Sequence, residues 1–129
     1  LYQIKKGIKS KRSAQMGIGT LVGLTNLAIA NNTVSIVITG GIAKEINDEY
    51  KLDARKTATI LDIFSCVIQG VLPYGAQVLL ILSFADGKLD FFDLIANAWY
   101  HLFLLTFTII AIYSAFWDRW IQKGVDFKI

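Results

Sequence analysis

Long apolar stretches, broken by small groups of polar residues, dominate the pattern of this chain. Three of them, residues 16–43, 57–85 and 94–117, are long enough as helices to enter or cross a hydrocarbon core of about 30 Å. The charged residues concentrate between these stretches and at both ends of the sequence. Because backbone polar groups inside a bilayer must be satisfied within the protein, the pattern predicts an all-α integral membrane protein.

The stretch 57–85 organises the chain because its middle is unsuited to a regular helix. Pro73 is the only proline in the sequence, and Gly70 and Gly75 flank it. Proline removes a backbone donor and clashes with the preceding turn, while glycine readily leaves helical geometry. We therefore expect a discontinuous transmembrane helix, with two halves joined by an unwound segment near residues 70–75. Broken helices of this kind form substrate or ion sites in many secondary transporters.

The stretch 16–43 carries its polar residues in the middle, where Asn31, Asn32 and Thr33 follow one another. Asparagine competes with the helical backbone and favours turns and helix caps. Two structures fit this pattern. One is a continuous spanning helix, and the other is a re-entrant helical hairpin with its tip at the three polar residues.

The distribution of lysine and arginine favours the hairpin. Five of these residues precede Met16, four lie in 44–56, one lies in 86–93 and three follow Trp117. If 16–43 spans the membrane, the two sides hold six and seven of them; if it re-enters, one side holds twelve and the other holds one. Cytoplasmic loops are enriched in basic residues. The re-entrant topology is therefore favoured, in a multi-pass membrane protein.

The remaining segments complete the predicted architecture. Residues 1–15 combine basic residues with apolar residues at helical spacing, which is typical of a helix lying at the lipid interface. Residues 94–117 predict a final transmembrane helix with aromatic residues near both interfaces, and His101 is expected at one of them. The net charge is only +3 and its basic residues are clustered, so nucleic-acid binding is not expected.

Asp62 is the strongest candidate functional residue. A carboxylate within a membrane segment is costly, and by default it marks an ion or proton pathway. Ser65 and Gln69 follow it at positions i+3 and i+7, so the three residues are expected to share one helix face. The alternative is a structural carboxylate near the interface, paired with Arg55.

Further candidate ligands are neutral oxygen atoms at the two predicted interruptions of helix. They come from the hairpin tip and from the break: Asn31, Asn32, Thr33, Pro73, Tyr74, Gly75 and Gln77. Such hard ligands suit an alkali cation, and Asn32, Thr33 and Asp62 together are the candidates to hold it. The alternatives are ordinary hydrogen bonding between helices and a simple proline kink.

Enzymatic chemistry is not indicated by the sequence. It contains no Ser-His-Asp arrangement, phosphate-binding loop, metal-ligand spacing or second aspartate within the apolar stretches. The single Cys66 gives no disulfide framework and is expected to pack as a small apolar residue. We expect a protein that is not an enzyme and needs no cofactor.

Four short blocks are more distinctive than the composition: ANNT at 30–33, IAKEI at 42–46, LDIFSC at 61–66 and QGVLPYGAQ at 69–77. They resemble the C-terminal part of NhaC-type sodium/proton antiporters, within the larger ion-transporter superfamily. The resemblance implies that the hairpin tip and the broken helix share a sodium site, with Asn32, Thr33 and Asp62 as its expected ligands. It also implies that sodium and protons are the transported substrates, in a bacterial-type plasma membrane. Asn31 stands where the superfamily's Ser-Asn-Thr tip has serine.

The resemblance also implies two inverted repeats, a homodimer and rigid-body alternating access. This chain would then be one part of a transporter domain, with the remainder of the transporter chain and membrane lipid as partners. Related proteins exchange malate or lactate, so sodium- or proton-coupled carboxylate exchange is an alternative function. A structural membrane subunit without transport is the alternative from a different class.

Overall fold

A computed structural model describes residues 10–114 of the protein. This part is all-α, as predicted, and its six helices are α1 (Lys11–Ile29), α2 (Asn32–Tyr50), α3 (Ala54–Val71), α4 (Ala76–Phe84), α5 (Phe91–Ala96) and α6 (Trp99–Tyr113). Most of the predicted interfacial helix at residues 1–15, and the predicted final helix beyond residue 114, lie outside the described residues. The boundary expected between residues 15 and 16 falls inside α1, which runs without interruption from Lys11.

The chain reverses direction between α1 and α2. Ala30 adopts the left-handed conformation with φ of 53°, and its N–H closes α1 on the carbonyl of Asn26 at 2.7 Å. Asn31 then begins α2, because its side chain accepts a hydrogen bond from the N–H of Val34 at 3.1 Å. The segment therefore does not continue as one helix through Asn31.

The two arms of this reversal are antiparallel and form a helical hairpin. At its open end, Lys11 Nζ donates to the carbonyl oxygen of Lys51 at 3.1 Å, so the start of α1 lies beside the end of α2. The tip, at residues 30–31, lies at the other end of the hairpin. Each arm has 19 residues, which separate the tip from that contact by about 28 Å at ~1.5 Å per residue.

The helices α3 and α4 are separated by a break at residues 72–75. Asp53 caps the start of α3 by accepting hydrogen bonds from the N–H groups of Arg55 and Lys56 at 2.8 and 3.2 Å. At the break the N–H of Gly75 bonds to the carbonyl of Leu72 at 2.9 Å, which closes a tight turn around the proline. The unwound segment is shorter than the expected 70–75, because α3 keeps its helical hydrogen bonding as far as Val71.

No single helix within residues 10–114 is both long and apolar enough to cross a bilayer. The bent pair of α3 and α4 meets both requirements together, with an angle of 40° between its halves. The helix α6 is apolar but shorter, at 15 residues.

The predicted continuous helix at 94–117 is corrected by the structure, which ends α5 at Ala96 and begins α6 at Trp99. The cause is Asn97, whose side-chain Nδ2 donates to the carbonyl of Asp93 at 2.9 Å. The Asn97 N–H also bonds back to that carbonyl, at 3.3 Å. Local side-chain bonding of this kind competes with helix propagation and stops the helix.

The hydrophobic core lies where the hairpin packs against α3, and α6 covers another side of α3. Its fully buried centre contains Ala14, Ile18 and Val22 from α1. Close packing of α1 on α3 depends on Gly19, since a Cβ there would lie 2.9 Å from the ring of Phe64.

Candidate cation site at the hairpin tip and helix break

The tip of the hairpin and the break in the α3–α4 pair lie next to each other. Tyr74, in the break, donates its hydroxyl hydrogen bond to the carbonyl of Leu27 near the end of α1. Two helix N-termini and two helix C-termini therefore meet in one region of the fold. Helix ends carry unpaired backbone groups and partial charges, which makes such a region suitable for an ion.

Asp62 and Asn32 are connected through Cys66. Asn32 Nδ2 donates to Cys66 Sγ at 3.2 Å, and Cys66 Sγ in turn lies 3.8 Å from Asp62 Oδ1. The carboxylate is exposed at the edge of α3, and its hydrogen bond goes to the thiol and not to Arg55. The arrangement brings a predicted amide ligand and the predicted carboxylate to the same side of α3.

The amide oxygen of Asn32 is buried and has no hydrogen-bond partner among the described residues. Buried polar atoms in folded proteins are almost always paired. An unpaired carbonyl oxygen, one thiol away from a carboxylate, is the arrangement expected of a ligand for a small cation.

A second buried amide lies across the break. Gln69 Nε2 at the end of α3 donates to Gln77 Oε1 in the first turn of α4 at 2.8 Å, which ties the two half-helices together. Gln69 is buried, and its Oε1 also has no partner within residues 10–114. The backbone is close here as well, because a Cβ on Gly75 would lie 3.0 Å from the carbonyl oxygen of Gln69.

Other predicted site residues have structural contacts in this fold. Asn31 caps α2, and its carbonyl accepts the hydroxyl hydrogen of Ser35 at 2.7 Å. Thr33, in the first turn of α2, is exposed, as is Pro73 in the break. The structure thus brings together Asn32 with Asp62, and Gln69 with Gln77, while Thr33 lies at the surface of the described chain.

Ser65 is fully buried and is held by Asn26, a residue that the sequence did not single out as a site residue. Asn26 Nδ2 donates to the carbonyl oxygen of Ser65 at 2.6 Å and to its Oγ at 3.0 Å. The only sequence signal for Asn26 is its polarity in an apolar stretch, shortly before the predicted tip.

The contact of His101 is the second one that the sequence did not predict. Its imidazole packs directly against Gly70, leaving no room for a Cβ on that glycine. Its Nδ1 is buried without a partner in the described part of the chain. No local pattern relates the two residues, which lie in α3 and α6.

Comparison with known proteins gives one finding. Over residues 1–118 the sequence matches the family model described as the Na+/H+ antiporter family. Comparisons with curated proteins and with solved structures found no match. The matched range contains the hairpin, the broken helix and every site residue described above.

Proposed function

Because the chain belongs to the Na+/H+ antiporter family, we propose that it provides the cation site of a sodium/proton exchanger, between the hairpin tip and the broken helix. The family is one of membrane transport proteins and is not an enzyme class. The resemblance of the four sequence blocks to sodium/proton antiporters is thereby confirmed at the level of the family. The assignment of the site to particular residues is our proposal.

The observation that carries the proposal is the pair of buried, unpaired amide oxygens, Asn32 Oδ1 and Gln69 Oε1. Both lie on the elements that meet at the break, and Asp62 is the carboxylate connected to the first of them. Neutral oxygens with one carboxylate suit a monovalent hard cation, because the carboxylate balances its charge. Backbone carbonyls of the break, around Pro73, would complete the ligand set.

Exchange requires a group that holds either the cation or a proton. Asp62 fills this role, since a sodium ion is attracted by the carboxylate and loses that attraction once the carboxylate is protonated. Sodium affinity should therefore fall as the pH falls. The cycle then couples sodium release to proton uptake without any covalent chemistry.

The placement in the membrane follows from the lengths of the apolar segments. The pair of α3 and α4 is long and apolar enough to span. The apolar part of α2, residues 34–43, would cover only about 15 Å of a core of roughly 30 Å. A hairpin that enters and leaves on one side would place its tip near the middle of the bilayer, beside the break. A homodimer and a further part of the transporter chain remain predictions.

The test is sodium-induced proton release from proteoliposomes that contain the natural full-length protein. Asp62→Asn keeps the shape of the side chain but cannot titrate, so we expect exchange to be abolished and the pH dependence of sodium binding to be flat. Asp48→Asn is the matched control, because Asp48 is an exposed aspartate in the last turn of α2. Exchange at the wild-type rate in Asp62→Asn would refute the proposed role of the carboxylate.

Counterflow of labelled malate or lactate would instead support carboxylate exchange.

A further inference from the structure

Asn26 connects three of the four helices whose ends meet at the candidate site. It is fully buried near the end of α1, and both N–H bonds of its amide go to Ser65 on α3. On the other side, its Oδ1 is approached at 3.4 Å by the hydroxyl of Ser35 on α2. That hydroxyl donates its short hydrogen bond, of 2.7 Å, to the carbonyl of Asn31 at the tip.

These contacts set the position of α3 against the hairpin. Ser65, which Asn26 binds, and Cys66, which Asn32 contacts at 3.2 Å, are consecutive residues of α3. A shift of α3 by one residue amounts to about 1.5 Å along its axis and ~100° around it, which would break both contacts together. The register held by Asn26 therefore decides whether the amide of Asn32 keeps its contact with Cys66, whose thiol lies 3.8 Å from Asp62 Oδ1.

We infer that Asn26 is a positioning residue for the cation site, whose carboxamide holds Ser65 so that Asn32 stays beside Cys66 and Asp62. The consequence for transport rests on the proposed function, but the placement itself does not. Asn26 acts through α3, because its Nδ2 bonds to Ser65 there, while its Oδ1 faces the hydroxyl of Ser35 on α2 at 3.4 Å.

The placement can be tested without transport. Asn32→Cys brings a second thiol against Cys66, so oxidation of the full-length protein should form a 32–66 disulfide that is absent when Cys66→Ala is added. With Asn26→Ala the yield should fall several-fold, because α3 is no longer held in register. Thr25→Ala is the matched control, as the Thr25 hydroxyl bonds to its own helix, at the carbonyl of Leu21. An unchanged yield in Asn26→Ala would overturn the inference.

Transport gives the second measurement. In Asn26→Ala the KM for sodium should rise by about tenfold, the effect expected from losing hydrogen bonds of this kind, while kcat changes little. In Thr25→Ala both should stay at the wild-type values. A fall in kcat with unchanged KM would mean that Asn26 does not position the cation ligands, and it would also overturn the inference.

Asn26→Asp separates positioning from a general loss of structure. An ionised carboxylate would repel the carbonyl of Ser65, whereas a protonated one can donate a hydrogen bond to it. The nearby titratable groups, Cys66 and Asp62 on α3, are present in the wild type too, and the facing residues of α2 are the neutral Ser35 and Asn31. The ratio of the variant's sodium KM to the wild-type KM should therefore fall as the pH is lowered. A ratio that is constant with pH would refute positioning through Ser65.

The outcomes also distinguish this inference from the proposed function. Suppose that the 32–66 disulfide is lost in Asn26→Ala and that even the wild type shows no sodium-induced proton release. These results would support the placement and refute sodium/proton exchange. An unchanged disulfide yield and an unchanged KM would refute the inference alone.

Discussion

At the scale of single residues, the unpaired oxygen of Asn32 is the most informative atom of the structure. Leaving a buried carbonyl without a partner costs about 1–3 kcal/mol, and Asn32 Oδ1 is buried without one among the described residues. Under the proposed function, a cation bound at this oxygen would offset that cost.

Asn32→Ala should therefore weaken sodium binding without removing its pH dependence. The substitution deletes a neutral ligand but leaves Asp62 to titrate, so we expect the sodium KM to rise by about tenfold at every pH. Proton release at several pH values and sodium concentrations measures this. Thr20→Ala, which removes an exposed hydroxyl bonded to the carbonyl of Met16, should leave the KM unchanged. A flat pH profile in Asn32→Ala would count against Asp62 as the coupling residue.

The types of residue in the sequence predicted some members of the candidate site, but not the contacts that these residues make. Asp62, Asn32 and Gln69 were recognisable because a carboxylate and amides in apolar stretches need a reason to be there. Asn26 and His101 were not, because each acquires its partner only when helices distant in sequence pack together. Whether a polar side chain ends as a cap, a bridge or an unpaired ligand is decided by that packing.

At the scale of the elements, the break between α3 and α4 lies close to Gly70, where the imidazole of His101 packs on α3. The break could be predicted because proline and glycine act locally, and so could the cap at Asp53. The interruption between α5 and α6 could not be predicted, because Asn97 can lie within a helix unless its side chain donates to the carbonyl of Asp93. The packing of α6 onto α3 depends on a glycine whose partner is His101.

Gly70→Ala should destabilise the protein, and His101→Ala should relieve the effect. A Cβ at Gly70 would collide with the imidazole, and overpacking of this kind typically costs about 1–3 kcal/mol. In the double variant the small side chain leaves room for the new methyl group, so the two changes should be strongly non-additive. Thermal unfolding of the full-length protein in detergent measures the differences in stability.

The matched control is Gly40→Ala in α2, where a Cβ would meet nothing within 4 Å. Alanine is the better helix former by about 1 kcal/mol, so this variant should be as stable as the wild type or more so. If Gly70→Ala were equally harmless, or if His101→Ala gave no recovery, α6 would not pack on α3 through this pair.

At the scale of the whole molecule, the asymmetry of basic residues and the packing of the hairpin agree. The sequence favoured a hairpin only by counting lysine and arginine on the two sides, which gives a direction but no geometry. In the structure, the contact of Lys11 with the carbonyl of Lys51 brings the two open ends of the hairpin together. The helix α3 begins at Ala54, near that open end, and the α3–α4 pair ends at Phe84. The bent pair thus leads away from the basic end of the hairpin.

This arrangement predicts the sidedness of three positions in the membrane. Single cysteines at Arg12 and Asp48, in a Cys66→Ala background, should react with a membrane-impermeant thiol reagent from the same side, since both lie at the open end of the hairpin. A cysteine at Lys88 should react from the opposite side, because the α3–α4 pair, at ~1.5 Å per residue, is longer than a hydrocarbon core of about 30 Å. All three positions are exposed, so the reagent can reach them. Labelling of Arg12 and Asp48 from opposite sides would mean that 16–43 crosses the membrane, and the tip would then not lie beside the break at mid-depth.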